Sequence, residues 1–261
     1  MKFLIIGTKI DKASRNIMMN MIDLGGFNIS SIDTELFDEK DLDLEKIKAY
    51  DFVIFVSKHK SKKKEKILSI HAPGNWRDVW GGGKEGKVCF SSGIFQKYLF
   101  EVLENKRKES NLDKYKVTME VTHHGPLIDK PCLFIEIGGG EEEWADRRAS
   151  FVISRAVKEA IETFKPSKYL EVAIGIGGPH YCPSFNKLQM NSNVAFSHII
   201  PKYIFPITEE MILEAIKKTV EEVEFVVVDW KGLGVAEERN RIIRILEKNY
   251  IRWKKTSEIK K

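Results

Sequence analysis

Nearly continuous apolar runs recur along the chain at residues 3–6, 52–56, 88–90, 133–137, 170–176 and 225–228. Runs of this kind suit β-strands covered on both faces. Between them, residues 12–24, 95–108, 141–164, 209–220 and 235–247 read as helices. In the longest of these, Trp144, Arg148, Phe151, Arg155 and Ala156 recur at helical spacing, and Glu141, Glu142 and Glu143 open the first turn, where the helix dipole favours negative charge. The alternation of strands and helices predicts a three-layer α/β architecture. No repeat, low-complexity linker or composition break divides the chain, so residues 1–261 are expected to form a single α/β domain, with room for two lobes.

Residues 116–122 carry a different pattern. Val117, Met119 and Val121 share one face of an extended segment, and Thr118, Glu120 and Thr122 share the other. This predicts a half-buried strand with a polar side. It ends at His123 and His124, whose side chains point to opposite faces unless the backbone turns at Gly125-Pro126. Neither a dinucleotide fingerprint nor a phosphate-binding P-loop follows any strand, which argues against a nucleotide cofactor.

All six histidines lie outside the expected helices: His59, His71, His123, His124, His180 and His198. Most stand in Gly- and Pro-rich segments, which suits a site at the ends of the strands of an open sheet. Glu136 is the one charge in the apolar run 132–137, and an unpaired buried carboxylate is costly enough that a partner is expected: an arginine, backbone amides, a metal ion or a catalytic water. The glycines 138–140 before the three glutamates suggest a turn whose N–H groups hold a phosphate or an oxyanion, or else a helix start capped by those glutamates. His180 and Cys182, two residues apart, project to one side if the backbone there is extended. That permits joint metal ligation or a Cys–His pair. No GxSxG elbow, CxxC or HExxH occurs.

Charge refines this picture. The net charge is +5, yet residues 239–261 hold nine Lys/Arg against Glu247 and Glu258, and residues 57–66 hold six lysines and one glutamate. Two concentrated basic patches favour a polyanionic partner. Three cysteines, well separated, do not make a disulfide framework, and no apolar run is long enough to span a bilayer. A cytoplasmic protein with no membrane association is expected.

The segments SKHKS (57–61), SIHAPGNW (69–76), THHGP (122–126), FIEIGGGEEEW (134–144), GIGGPHYCPSF (175–185) and AFSHIIPKY (195–203) occur in an order that resembles the archaeal and plant D-aminoacyl-tRNA deacylases. The resemblance implies a phosphorylase/hydrolase-like α/β sandwich with a mixed central sheet and a monomer dependent on zinc, with one or two ions. It further implies hydrolysis of the ester between a D-amino acid and the tRNA 3′ end, with broad side-chain specificity. Two departures stand out. Gly139-Gly140 replace the Ser-Thr usual before the glutamates, and the lysine run after SKHKS is atypical. We take His71, His124, Glu136 and His180 as candidate catalytic groups. His123, His124, His180, His198 and Glu136 are candidate metal ligands. Lys58, Lys60, Lys62, Lys63, Arg252, Lys254 and Lys255 are candidate tRNA contacts. The rival readings are a metal-dependent aminopeptidase or amidohydrolase and a noncatalytic RNA-binding protein.

Overall fold

The computed structural model of the chain describes residues 1–60, 64–79 and 81–260; Lys62 and Lys63 lie outside the described residues. The elements are β1 (Phe3–Thr8), α1 (Lys12–Leu24), β2 (Ile29–Ile32), α2 (Leu44–Lys48), β3 (Phe52–Lys60), β4 (Ile67–His71), β5 (Gly74–Asn75), β6 (Lys87–Val88), α3 (Gly93–Glu109), β7 (Lys116–Met119), β8 (Cys132–Gly139), α4 (Glu141–Trp144), α5 (Arg147–Thr163), β9 (Glu171–Ile176), α6 (Pro183–Asn191), β10 (Val194–Ile200), α7 (Glu209–Lys217), β11 (Phe225–Val228), α8 (Ala236–Lys248) and β12 (Trp253–Lys255).

The main sheet is mixed, in the order β2-β1-β3-β8-β4-β7, with β4 antiparallel to β8 and the other pairs parallel. Strands 9 and 11, read from the same kind of apolar run, leave this sheet for a second, fully parallel one in the order β10-β9-β11-β12. The two sheets are joined by a shared core. Phe95 of α3 packs its ring 5.0 Å from Phe3 and 4.8 Å from Phe52, and the same cluster takes in Ala173, Phe196 and Phe225 of the second sheet. Apolar runs were legible as strands because both faces are covered; which sheet each joins depends on long-range pairing.

Local chemistry explains the boundaries. The Asp11 carboxylate caps α1 by accepting from the Ala13 and Ser14 N–H groups, and the helix ends at Gly25, whose φ of +67° suits glycine. The single helix expected over 141–164 is broken after Trp144. Asp146 caps a new helix there, accepting from the Arg148 and Ala149 N–H groups. Its buried stripe is Ala149, Val152, Ile153, Ala156, Val157 and Ala160, whereas Phe151 is exposed. The strand expected at 88–90 is reduced to Lys87–Val88, which pairs with Gly74–Asn75 in a separate two-stranded ribbon.

The segment after β7 crosses from one sheet to the other. The Glu120 N–H bonds to the Ile70 carbonyl of the first sheet, while the Val121 and Thr122 N–H groups bond to the carbonyls of His180, after β9, and Ile199, in β10 of the second sheet. The strand expected to be half-buried is thus buried on its polar side as well: Thr118, Glu120 and Thr122 all lie inside.

Candidate active site

At this junction five histidines converge on two carboxylates. Glu136 sits in β8 directly between Ser57 of β3 and Ser69 of β4, and these small neighbours leave room for its side chain. Its Oε2 lies 3.5 Å from His59 Nδ1 and 3.5 Å from His71 Nε2. Glu120 Oε2 lies 2.9 Å from His180 Nε2, 3.2 Å from His59 Nδ1 and 3.4 Å from His123 Nε2. Both carboxylates are about 2% exposed.

The backbone around them fixes each ring. The Lys58 N–H donates to Asp11 at 2.6 Å and the Trp144 indole N–H donates to the His59 carbonyl at 3.3 Å, so the end of β3 is clamped on both sides of His59. His124 has φ +43°, and this left-handed residue brings His123 and His124 to the same side, with ring centroids 4.4 Å apart. Three rings place Nδ1 on a backbone carbonyl: His71 on Ala72 at 3.2 Å, His123 on Val121 at 2.8 Å and His124 on Gly125 at 2.6 Å. Such a bond selects the tautomer whose Nε2 carries the lone pair, the usual way a histidine is prepared to bind a metal.

Electrostatics follows from this crowding. Burial works against charge on His59, but Glu120, and then Glu136, overcome it and raise its pKa to about 9. Burial also opposes ionisation of Glu120 and Glu136. The histidines, His59 foremost, still hold Glu120 well below the usual carboxylate range and lower Glu136 to about 2. Burial, followed by the neighbouring imidazoles, pushes His123 well below its ordinary value and His124 down to about 4.

The donor set fits a metal ion. Within each of three overlapping groups, His59/Glu120/His123/His180, His71/His123/His124 and His71/Glu120/Glu136, the ligand atoms lie within 4.8 Å of one another. Glu120 Oε1 and His71 Nε2 are buried without a hydrogen-bond partner, the condition in which a cation is favoured. Clustered imidazoles and carboxylates are also the ligands that zinc takes.

Of the candidate residues, His71, His123, His124, His180 and Glu136 come together. His198 does not. It lies inside β10 rather than in a loop or at a strand end, where the pairing with β9 shifts register between Phe196 and Ile199; its Nδ1 lies 3.2 Å from Thr122 Oγ1 and its Nε2 3.2 Å from the Lys218 carbonyl. Cys182 does not join His180 either. It adopts φ +33° at the start of α6, and its thiol points into the core toward the Met119 carbonyl at 3.3 Å, with burial pushing its pKa far up. The glycines 138–140 form no open anion site. The Gly140 N–H is taken by Glu143 at 2.9 Å, and Glu143 also pairs with Lys66 at 2.9 Å. His59 and Glu120 were missed, the first because it sits among lysines and the second because the alternating pattern of its strand did not single it out.

A cavity of about 390 Å³ opens beside the cluster, walled by His123, His124, His180, Trp76 and Tyr203 among others. Lys58 and Lys60 flank His59 along β3. Lys254 and Lys255 lie on β12, two strands from β9 and parallel to it, so Lys255 stands at the same sheet edge as the His180 loop. Each lysine already has a carboxylate nearby: Lys58 with Glu35 at 3.6 Å, Lys254 with Glu171 at 3.6 Å and Lys255 with Glu258 at 3.8 Å. Arg252 is exposed. No helix among the described residues is long and apolar enough to cross a membrane.

The profile of the family described as D-aminoacyl-tRNA deacylase matches residues 46–254. The D-aminoacyl-tRNA deacylase of Pyrococcus abyssi is 37% identical over 251 residues, covering 87% of this chain and 90% of the relative. That of Methanocaldococcus jannaschii is 33% identical over 263 residues, covering 98% and 100%. A crystallised conserved protein of unknown function superposes with a TM-score of 0.89 at 29% identity, covering 99% of this chain and 96% of its own. With a match across most of its length and relatives covered over at least 90% of their own length, the chain belongs to the D-aminoacyl-tRNA deacylase family.

Proposed function

We propose that this chain hydrolyses the ester bond between a D-amino acid and the 3′ end of tRNA, accepting a broad range of side chains. The observation that carries the reading is the pair of buried carboxylates faced by five histidines beside an open cleft, in a member of this family. In the reaction, water oxygen bonds to the ester carbonyl carbon, the bond from that carbon to the ribose oxygen breaks, and a proton reaches the ribose oxygen. The products are the free amino acid and tRNA with its hydroxyl restored.

We assign zinc to the cluster, where His71, His123 and His124 would hold it through their nitrogens. Such an ion supplies Lewis acidity and lowers the pKa of water toward neutrality. The chain's own residues do the remaining work. Glu120, ionised, accepts Nε2–H from His180, which leaves His180 Nδ1 as an acceptor facing Tyr203 and the cleft. His180 is therefore the group placed to move a proton between water and the ribose oxygen. Glu136 and Glu120 orient His71, His59 and His123, and the buried position of both carboxylates keeps bulk water from loosening those rings. Around the cleft, Trp76, Pro201 and Ile204 offer apolar van der Waals surface that suits many amino-acid side chains, with Asp78 also in the wall. Lys58, Lys60, Arg252, Lys254 and Lys255 are assigned to the acceptor arm.

The test is elemental analysis of the purified protein followed by hydrolysis of D- and L-aminoacyl-tRNA, with and without a chelator. Metal-dependent loss of the D-ester alone is the expected result. Cleavage of a peptide amide without RNA, or tRNA binding without hydrolysis, overturns the proposal.

A further inference from the structure

The cleft beside the histidines has an aromatic rim that the hydrolytic chemistry leaves unused. Tyr203 is 54% exposed, although its hydroxyl is tied to His180 Nδ1 at 3.3 Å. The hydroxyl is thus fixed at the site while much of the ring remains open. Lys202, next to it, is also exposed, and its N–H bonds to the Gly178 carbonyl, which fixes the segment against the His180 loop. Phe205 is 37% exposed and Val79 52% exposed. Arg77 donates to the Pro206 carbonyl at 2.7 Å, joining the segment that carries Val79 to the one that carries Phe205. Arg77 Nε is itself buried without a partner.

An exposed aromatic ring with a lysine beside it is an arrangement that holds unpaired nucleotides. The base stacks on the ring and the cation meets a backbone phosphate. Side-chain breadth in a deacylase also calls for recognition of what all its substrates share. That common part is the single-stranded 3′ end of tRNA with its terminal adenosine. Resting on the deacylase reading, we propose that Tyr203 is the stacking platform for the terminal base, with Lys202 meeting an adjoining phosphate, so that the 3′ ester is delivered to the histidines 123, 124 and 180 that wall the same cavity.

The experiment measures binding of the trinucleotide CCA, and of the same trinucleotide with an abasic terminal ribose, to the metal-loaded full-length protein and to its Tyr203→Phe and Tyr203→Ala variants. Because the ring is largely exposed, both variants should unfold at the wild-type denaturant midpoint. Tyr203→Ala is expected to weaken CCA binding roughly 5- to 150-fold, the usual range for loss of one stacked base. Tyr203→Phe should bind CCA within about twofold of wild type, because the face of the ring is kept. For the abasic trinucleotide, wild type and Tyr203→Ala should bind alike. Equal CCA affinity in wild type and Tyr203→Ala overturns the stacking role, as does equal weakening by Phe and Ala. The two readings fail separately: a wild type that binds CCA through Tyr203 but cleaves no D-aminoacyl-tRNA removes the deacylase function and leaves the nucleotide subsite standing.

Discussion

Replacing His198 by Asn separates a buried structural histidine from a metal ligand. His198 is fully buried, and burial lowers its pKa from an ordinary 6.5 to about 4. The folded protein therefore favours the neutral ring. The stability tied to this preference is fully present above pH 6.5 and is lost as pH falls from there toward 4. Between about pH 7.5 and about pH 5 the loss is about 2 kcal/mol, out of about 3 kcal/mol available in full. Asparagine does not titrate, so His198→Asn lacks this loss. It leaves a void and alters the bonds to Thr122 and the Lys218 carbonyl, a cost that is the same at both pH values. Urea unfolding of the two proteins at the two pH values gives the double difference, in which the titrations of the other histidines cancel. The stability gap should narrow by about 2 kcal/mol at the lower pH. The variant should also retain its full metal content. A gap independent of pH refutes the buried-neutral assignment, and loss of metal on mutation returns His198 to the ligand set.

Other substitutions probe the cluster and its surroundings. Glu120→Gln removes the carboxylate that three histidines face, so metal affinity should fall at least about 10- to 100-fold, read by competition with a chromophoric chelator; unchanged affinity would remove Glu120 from the site. Cys182→Ala should cost about 1 kcal/mol of core packing yet keep hydrolysis within about twofold, whereas a cysteine nucleophile would show losses of several orders of magnitude. Replacing Lys254 and Lys255 together by Gln should reduce the magnitude of the log–log salt slope of tRNA binding by about 1.5, and an identical slope would exclude both from phosphate contact. Gly139 has φ +138° and lies where a Cβ would come within 2.6 Å of the Glu143 side chain, so Gly139→Ala should lower the thermal midpoint by several degrees.

Much of the fold was legible because apolar runs and capping residues act locally. The run at 133–137 is a strand in any sheet, and Asp11 sets the start of α1 through bonds to its own neighbours. Sheet membership was not legible, since β9 and β11 read like β1 and β3 but pair elsewhere. The site shows the same division. Glu136 announced itself as a charge within an apolar run, and the prediction that it must have a partner is met by His59 and His71. Glu120 sat in an alternating strand, a pattern that water on one side and a buried polar cluster on the other produce equally well. His59 was hidden by its lysine neighbours, and His198 was promoted by resemblance to the other histidines until a register shift in its strand turned it elsewhere.

Why Glu120 and Glu136 are both ionised although buried is settled by counting what faces them. Among the described residues, no lysine or arginine forms an ion pair with either carboxylate; their partners are imidazoles. One of these, His59, gains a proton from the arrangement, while His123 and His124 are pushed toward the neutral form. One imidazolium does not balance two carboxylates, and His123 and His124, held neutral with Nδ1 on carbonyls, turn lone pairs rather than protons into the site. Acceptors opposed to acceptors are unfavourable in a dry interior unless a cation lies among them. A divalent ion removes the imbalance and satisfies both His71 Nε2 and Glu120 Oε1. The donor set of this cluster therefore fits a cation on electrostatic grounds alone, independently of any resemblance.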